Sequence, residues 1–177
     1  MAWWRRRPWR QTGGRAPGEG GQSLVELALM LPFLLGLVLI TIEGGYLFRA
    51  HTALVNATWV GARFALDGGS DSDVVLAIQN NSSGVSIVEG RADIYIVRGT
   101  TDSAGNIASW TPSPRVFGTG AAQPRTTQAD VQAGINSWPT AANIGFVLVE
   151  VDYQYEGVTG ALPVSLPLKG YAIVRRL

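Results

Sequence analysis

An acid stands at the edge of a long uncharged stretch. Glu26 is followed by Leu27 to Ile42, LALMLPFLLGLVLITI, and the next ionisable residue is Glu43. An ionisable group in such a place costs free energy unless it is solvated or paired. Two environments fit Glu26: a solvated position at headgroup level, or a buried one beside a cation. Either way its chemistry is electrostatic. The residues that would do catalysis are missing. His51 is the single histidine and has no acid–hydroxyl arrangement around it. No phosphate-binding loop, GxSxG or HExxH pattern occurs. Asp71, Asp73, Asp93, Asp102, Asp130, Glu150 and Asp152 do not take the spacing of a calcium loop. The chain has no cysteine, which excludes disulfides, thiol catalysis and thiolate metal sites. The expectation is a protein that is not an enzyme and needs no cofactor or metal.

The element that must carry Glu26 is the apolar run itself. Its sixteen residues, as a helix, cover about 24 Å, and Leu24 and Val25 bring it near the ~30 Å hydrocarbon core of a bilayer. The run is apolar all round, so it has no polar face for water. Charged residues make up only 15% of the chain, and mean hydropathy is +0.15. Residues 1–20 hold Arg5, Arg6, Arg7, Arg10 and Arg15 against one acid, Glu19. In the remainder, acids outnumber bases. The positive-inside rule then places the N-terminus in the cytoplasm and residues beyond about 45 outside. A basic cluster beside a span is topogenic, so no nucleic-acid partner is expected. No Ala-x-Ala site follows the run, which argues against a cleaved secretory signal.

The helical pattern continues past the run. Leu47, Ala50, Leu54, Ala57, Gly61 and Phe64 recur at spacings of three and four, a stripe of apolar and small side chains. The spacing predicts one helix from about Gln22 to Leu66, ~67 Å long, with its lower half in lipid and its upper half outside. Pro32 removes the hydrogen bond to the Ala28 carbonyl. Gly61 and Ala62 would let another element approach closely. Arg63 either holds a carboxylate or caps the helix C-terminus, and Asp67-Gly68-Gly69 just beyond favours the cap.

The remaining residues read as α+β. Ser70 to Asp73 has N-cap chemistry and predicts a helix over about 71–80. Short apolar Val85–Val88 and strand-rich Ala92–Val97 predict strands, with Asp102 to Asn106 turning the chain back into Ile107–Trp110. Residues 111–127 read as a loop or arm. Thr127 and Asp130 cap a helix over about 128–137. In the strand 144–156, Val147, Val149, Val151, Tyr153 and Tyr155 point to one face and Glu150, Asp152 and Gln154 to the other, which predicts half-burial. Residues 168–177 predict a last strand.

Two blocks resemble a known family. The basic leader, Gly21, Glu26 and the apolar helix are similar to the type IV pilin processing signal. More narrowly, Gly21, Val25, Glu26, Ala28, Leu31-Pro32, Glu43 and Gly45 resemble the opening of the TadE-like family, whose members accompany tight-adherence (Flp-type) pilus assembly. A second block, Ala53, Leu54, Asn56, Ala57, Gly61, Ala62, Arg63 and Ala65, follows at the family's separation. Leu27 stands where the family usually has Phe or Tyr. The resemblance implies that a prepilin peptidase cuts between Gly21 and Gln22, and that Glu26 then pairs with the free amine of a neighbouring subunit. It implies subunit or helix packing through Glu26, Pro32, Glu43, Gly45, Asn56, Gly61 and Arg63.

The expected organisation is a basic cytoplasmic leader (1–21), a transmembrane helix with its extracytoplasmic extension (22–66), and an extracytoplasmic α+β domain (67–177) with a small antiparallel sheet and short helices. The expected role is a minor pilin or pseudopilin, single-pass in the inner membrane. Its expected partners are the prepilin peptidase, other pilin or pseudopilin subunits, tight-adherence secretion components and the bilayer. The alternative is a membrane-tethered binding module or enzyme unconnected with pili.

Overall fold

The computed structural model describes residues 19–160 and 165–176. The arginines and Trp3, Trp4 and Trp9 of the leader lie outside them. The chain forms two compact units, one ending at Leu39 and one comprising Ile40–Leu177.

Helix α1 runs over Glu19–Leu66 and passes through Pro32 without interruption. It begins three residues before the predicted start. Two glycines at its beginning weaken helix formation by only about 1 kcal/mol each, while extension from a strongly helical run adds a hydrogen bond per residue. In the first unit, the large apolar side chains from Leu24 to Val38 are all exposed. The helix is long and apolar enough to cross a membrane, and its most apolar window is 0% buried.

In the second unit, α1 turns one face inward. Ala50, Leu54, Ala57, Thr58, Gly61, Ala62 and Ala65 are buried. This is the predicted stripe with one correction. Phe64 is 47% exposed, and Ala65 takes the inward place. Phe64 instead lies against Gly69, where an added Cβ would come within 2.6 Å of its ring.

Helix α2, Asp71–Asn81, starts with a capping box between Ser70 and Asp73. It packs Val74, Val75 and Ile78 into the core. Next comes a second correction. Val85–Val88 forms no strand, although Val85 and Ile87 are buried. The Val85 N–H is used by Ser82 O, and Ile87 O accepts from the Gln79 amide, so these backbone groups serve a turn and α2 rather than a ladder.

Strands β1 (Ala92–Thr101), β2 (Ile107–Pro112), β3 (Gly145–Tyr155) and β4 (Leu166–Arg176) form one antiparallel sheet in the order β2-β1-β3-β4. The β1–β2 turn is closed by Asp102, whose Oδ1 accepts from Ala104 N (2.8 Å) and Asn106 N (2.9 Å). Helix α3, Gln128–Ile135, is capped by Thr127 and Asp130. Its cap holds the Asp130 carboxyl below the usual range through the Thr127 backbone and side-chain hydrogen bonds.

A core forms on each side of the sheet. Ile94, Ile96, Val147, Val149 and Val151 meet α1 and α2, whereas Val97, Phe146 and Leu148 meet Val131 and Ile135 of α3. The fold is α+β, with a long N-terminal helix, a small antiparallel sheet and short helices, as predicted. The half-burial of β3 is corrected. As an inner strand covered on both faces it buries Glu150 and Asp152 as well as its valines.

Candidate functional site

The acid that ends the apolar run anchors the second unit. Glu43 is fully buried. Its carboxylate accepts four hydrogen bonds: Tyr155 Oη at 2.6 Å, Val158 N at 3.0 Å, Thr159 N at 2.9 Å and Thr159 Oγ1 at 2.6 Å. Tyr155 is the last residue of β3, and Val158 and Thr159 lie in the loop that follows. Four donors on two oxygens is the set that suits an ionised carboxylate, which only accepts. Burial pushes the Tyr155 hydroxyl up to about 12, and its hydrogen bond to Glu43 adds to this. Tyr155 therefore stays a donor throughout the physiological range. The result is a clamp between helix and sheet.

Two glycines set how closely the elements approach α1. A Cβ on Gly61 would come within 2.6 Å of Ile78 Cγ1, so this position brings α2 against the helix. A Cβ on Gly170 of β4 would lie 2.9 Å from Thr58 Oγ1 and 3.2 Å from Leu54 O, so β4 crosses α1 almost backbone to backbone. Thr58 is buried, and its hydroxyl is satisfied within the helix by Leu54 O at 2.7 Å. Gly61 was singled out in the sequence. Gly170 was not, because an isolated Gly in a strand gives no sign of what lies opposite.

The other residues singled out lie apart. Gly21, Gln22 and Glu26 stand exposed at the start of α1. Gly45 has no atom within 4 Å of where its Cβ would be. Asn56 is exposed and lines a cavity with Phe48, Arg49 and Asn81. Arg63 is exposed in the last turn of α1, where its charge complements the helix dipole. Exposed His51 shares an open groove with Trp59, Trp138 and Tyr171.

A polar network that the sequence did not reveal lies on the opposite face of the sheet. Glu150 accepts from Arg125 N at 2.6 Å and Thr126 N at 2.9 Å. Asp152 pairs with Arg125 Nε at 3.0 Å. The Tyr95 hydroxyl donates to Ala121 O at 2.8 Å, and Asp93 accepts from Gly120 N at 2.7 Å. Strand β2 takes in Thr111 and Pro112, the first two residues of the predicted arm, and these bonds fold residues 113–127 over the sheet, which is why the acids of β3 are buried. Burial is the main cause that lifts the Asp152 carboxyl to about 6, with Glu150 adding to it and Arg125 opposing it.

The geometry defines a class: one membrane-competent N-terminal helix whose upper turns are locked by a buried glutamate into an α+β domain. A family comparison is more specific. The model described as TadE-like protein matches residues 21–63, which contain Gly21, Glu26, Glu43 and Gly61. The resemblance read from the two sequence blocks is therefore shown over that segment. It supports a component related to tight-adherence pili. Searches of curated proteins and of solved structures found no match.

Proposed function

We propose that this chain is a TadE-like pseudopilin of tight-adherence pilus assembly, held in the inner membrane by a single span with its α+β domain outside. The observation that carries this reading is the family match that opens at Gly21 and includes Glu26. A prepilin peptidase cuts between Gly21 and Gln22 and removes all five leading arginines. The cut leaves a cationic amine near Glu26, and two opposite charges brought together offset each other's desolvation. Glu26 then sets the register against the amine of a neighbouring pilin or pseudopilin subunit, and the outer domain meets the other assembly components. The chain acts by assembly and catalyses nothing.

The test is the intact mass of the protein from membranes, with and without co-expressed peptidase. A mature N-terminus at Gln22 is the expected result. A full-length mass in the presence of active peptidase would refute processing and leave a permanently anchored protein.

A further inference from the structure

The Glu43 clamp has a geometric consequence. Ile40 and Ile42, the last apolar residues of the run, are 58% and 44% exposed. Glu43 follows directly, and its carboxylate holds the backbone N–H groups of Val158 and Thr159. The loop after β3 is therefore tied to the helix at the level where the apolar run ends. Val158 is 61% exposed there, an apolar side chain turned away from the core.

A cavity of about 320 Å³ sits beside this loop, lined by Tyr46, Arg49, Arg91, Glu156 and Val158 among others. The guanidinium of Arg49 lies along Gly84, with Nε 3.5 Å from where a Cβ would be. Arg91 pairs with Glu156, and both side chains are substantially exposed. Among the described residues, Arg49 makes no ion pair with a carboxylate. Two guanidinium groups and one carboxylate therefore line the cavity, while the Glu43 carboxylate is buried behind Tyr155 and Val158 with its oxygens already taken.

We infer that this face rests on phospholipid headgroups: Val158 and Tyr46 enter the interfacial layer, and Arg49 and Arg91 take lipid phosphates. The inference rests on the reading of α1 as a membrane span. Depth is met through the side chain. The Arg49 backbone lies six residues beyond Glu43, about 9 Å along the helix and just past a headgroup layer about 5–8 Å thick, and a helical side chain leans back toward the N-terminus into that layer. Arginine reaches back along an apolar surface to keep its head at the polar boundary. Tyrosine is enriched at that boundary, where one end of the ring is wet and the other is not. Continuity favours lipid over a protein partner, because exposed Ile42, at the end of the apolar run, shares a helix face with exposed Tyr46, one turn on and beside the clamped loop.

The absence of cysteine makes a direct test clean. Single variants Val158→Cys, Leu35→Cys and Ser103→Cys of the full chain would carry an environment-sensitive fluorophore. Each would be reconstituted in vesicles of phosphatidylethanolamine and phosphatidylglycerol containing acyl chains brominated at shallow or deep positions. The expected result is shallow quenching at 158, deep quenching at 35 and none at 103. Quenching at 35 without quenching at 158 would overturn the inference and leave the span intact. No quenching at 35 would overturn the span, and the inference with it. Arg49→Gln combined with Arg91→Gln, with native tryptophan fluorescence as the check on folding, is expected to reduce the quenching at 158. Unchanged quenching would overturn the assignment of these arginines to lipid phosphate.

Discussion

Gly61→Ala inverts the usual rule for a glycine within a helix. At an open helical position, replacing Gly with Ala gains about 0.5–1 kcal/mol, because the unfolded chain loses less freedom on folding. Gly45 is such a position, with no atom near its missing Cβ. At Gly61 the new methyl would lie 2.6 Å from Ile78 Cγ1 and 2.8 Å from Ile78 Cδ1. Both atoms belong to a fully buried side chain packed in the core. Overpacking of this kind costs about 1–3 kcal/mol. Subtracting the propensity gain leaves a net loss of roughly 0–2.5 kcal/mol, and a deficit of about 1–3 kcal/mol relative to Gly45→Ala. Ile78→Ala removes both clashing atoms and costs about 2–5 kcal/mol alone. In the double variant the new methyl partly fills the space left by Ile78, so the two changes couple and the pair is less damaging than their sum by about 1 kcal/mol or more. The assay is urea denaturation of the full chain in detergent micelles, followed by tryptophan fluorescence, with coincident probes to check two-state behaviour. A Gly61→Ala variant as stable as Gly45→Ala, or a strictly additive cycle, would refute the packing of α2 on α1 through this glycine.

Two further predictions concern buried acids. Glu43→Ala removes the carboxylate that accepts from the N–H groups of Val158 and Thr159 and from the Tyr155 and Thr159 hydroxyls. It is expected to lower the melting temperature and to raise hydrogen exchange selectively at Val158 and Thr159; unaltered exchange there would contradict the clamp. Asp152 gives a pH dependence of known sign. Its carboxyl is raised from 3.8 to about 6 in the folded protein, so the native state holds the proton more tightly than the unfolded chain. The stability this contributes is complete below about pH 4 and is lost as the pH rises through about 6. The Asp152→Asn variant is expected to flatten the fall in denaturation midpoint across that interval, and a profile parallel to wild type would count against the assignment.

What was legible in the sequence is what depends on local pattern. Sixteen uncharged residues in a row approach the length that the hydrocarbon core of a bilayer demands, so a membrane-competent helix is legible in composition. The capping residues Ser70 with Asp73 and Thr127 with Asp130 announce two helices, because a cap is satisfied within four residues of chain. Alternation in β3 declares a strand for the same reason. Tertiary structure decided everything that joins distant segments. Alternation cannot tell whether a strand's polar face meets water or a covering arm, so the burial of Glu150 and Asp152 emerged only once residues 113–127 folded across the sheet. Val85–Val88 has the composition of a strand, but its backbone groups were claimed by neighbouring elements. Glu43 could be singled out by its place at the end of the run. Its partners Tyr155, Val158 and Thr159 lie 112, 115 and 116 residues away. No periodicity links residues so far apart. A hydrogen-bonded carboxylate is specified by the three-dimensional convergence of donors, and that convergence is a property of the fold.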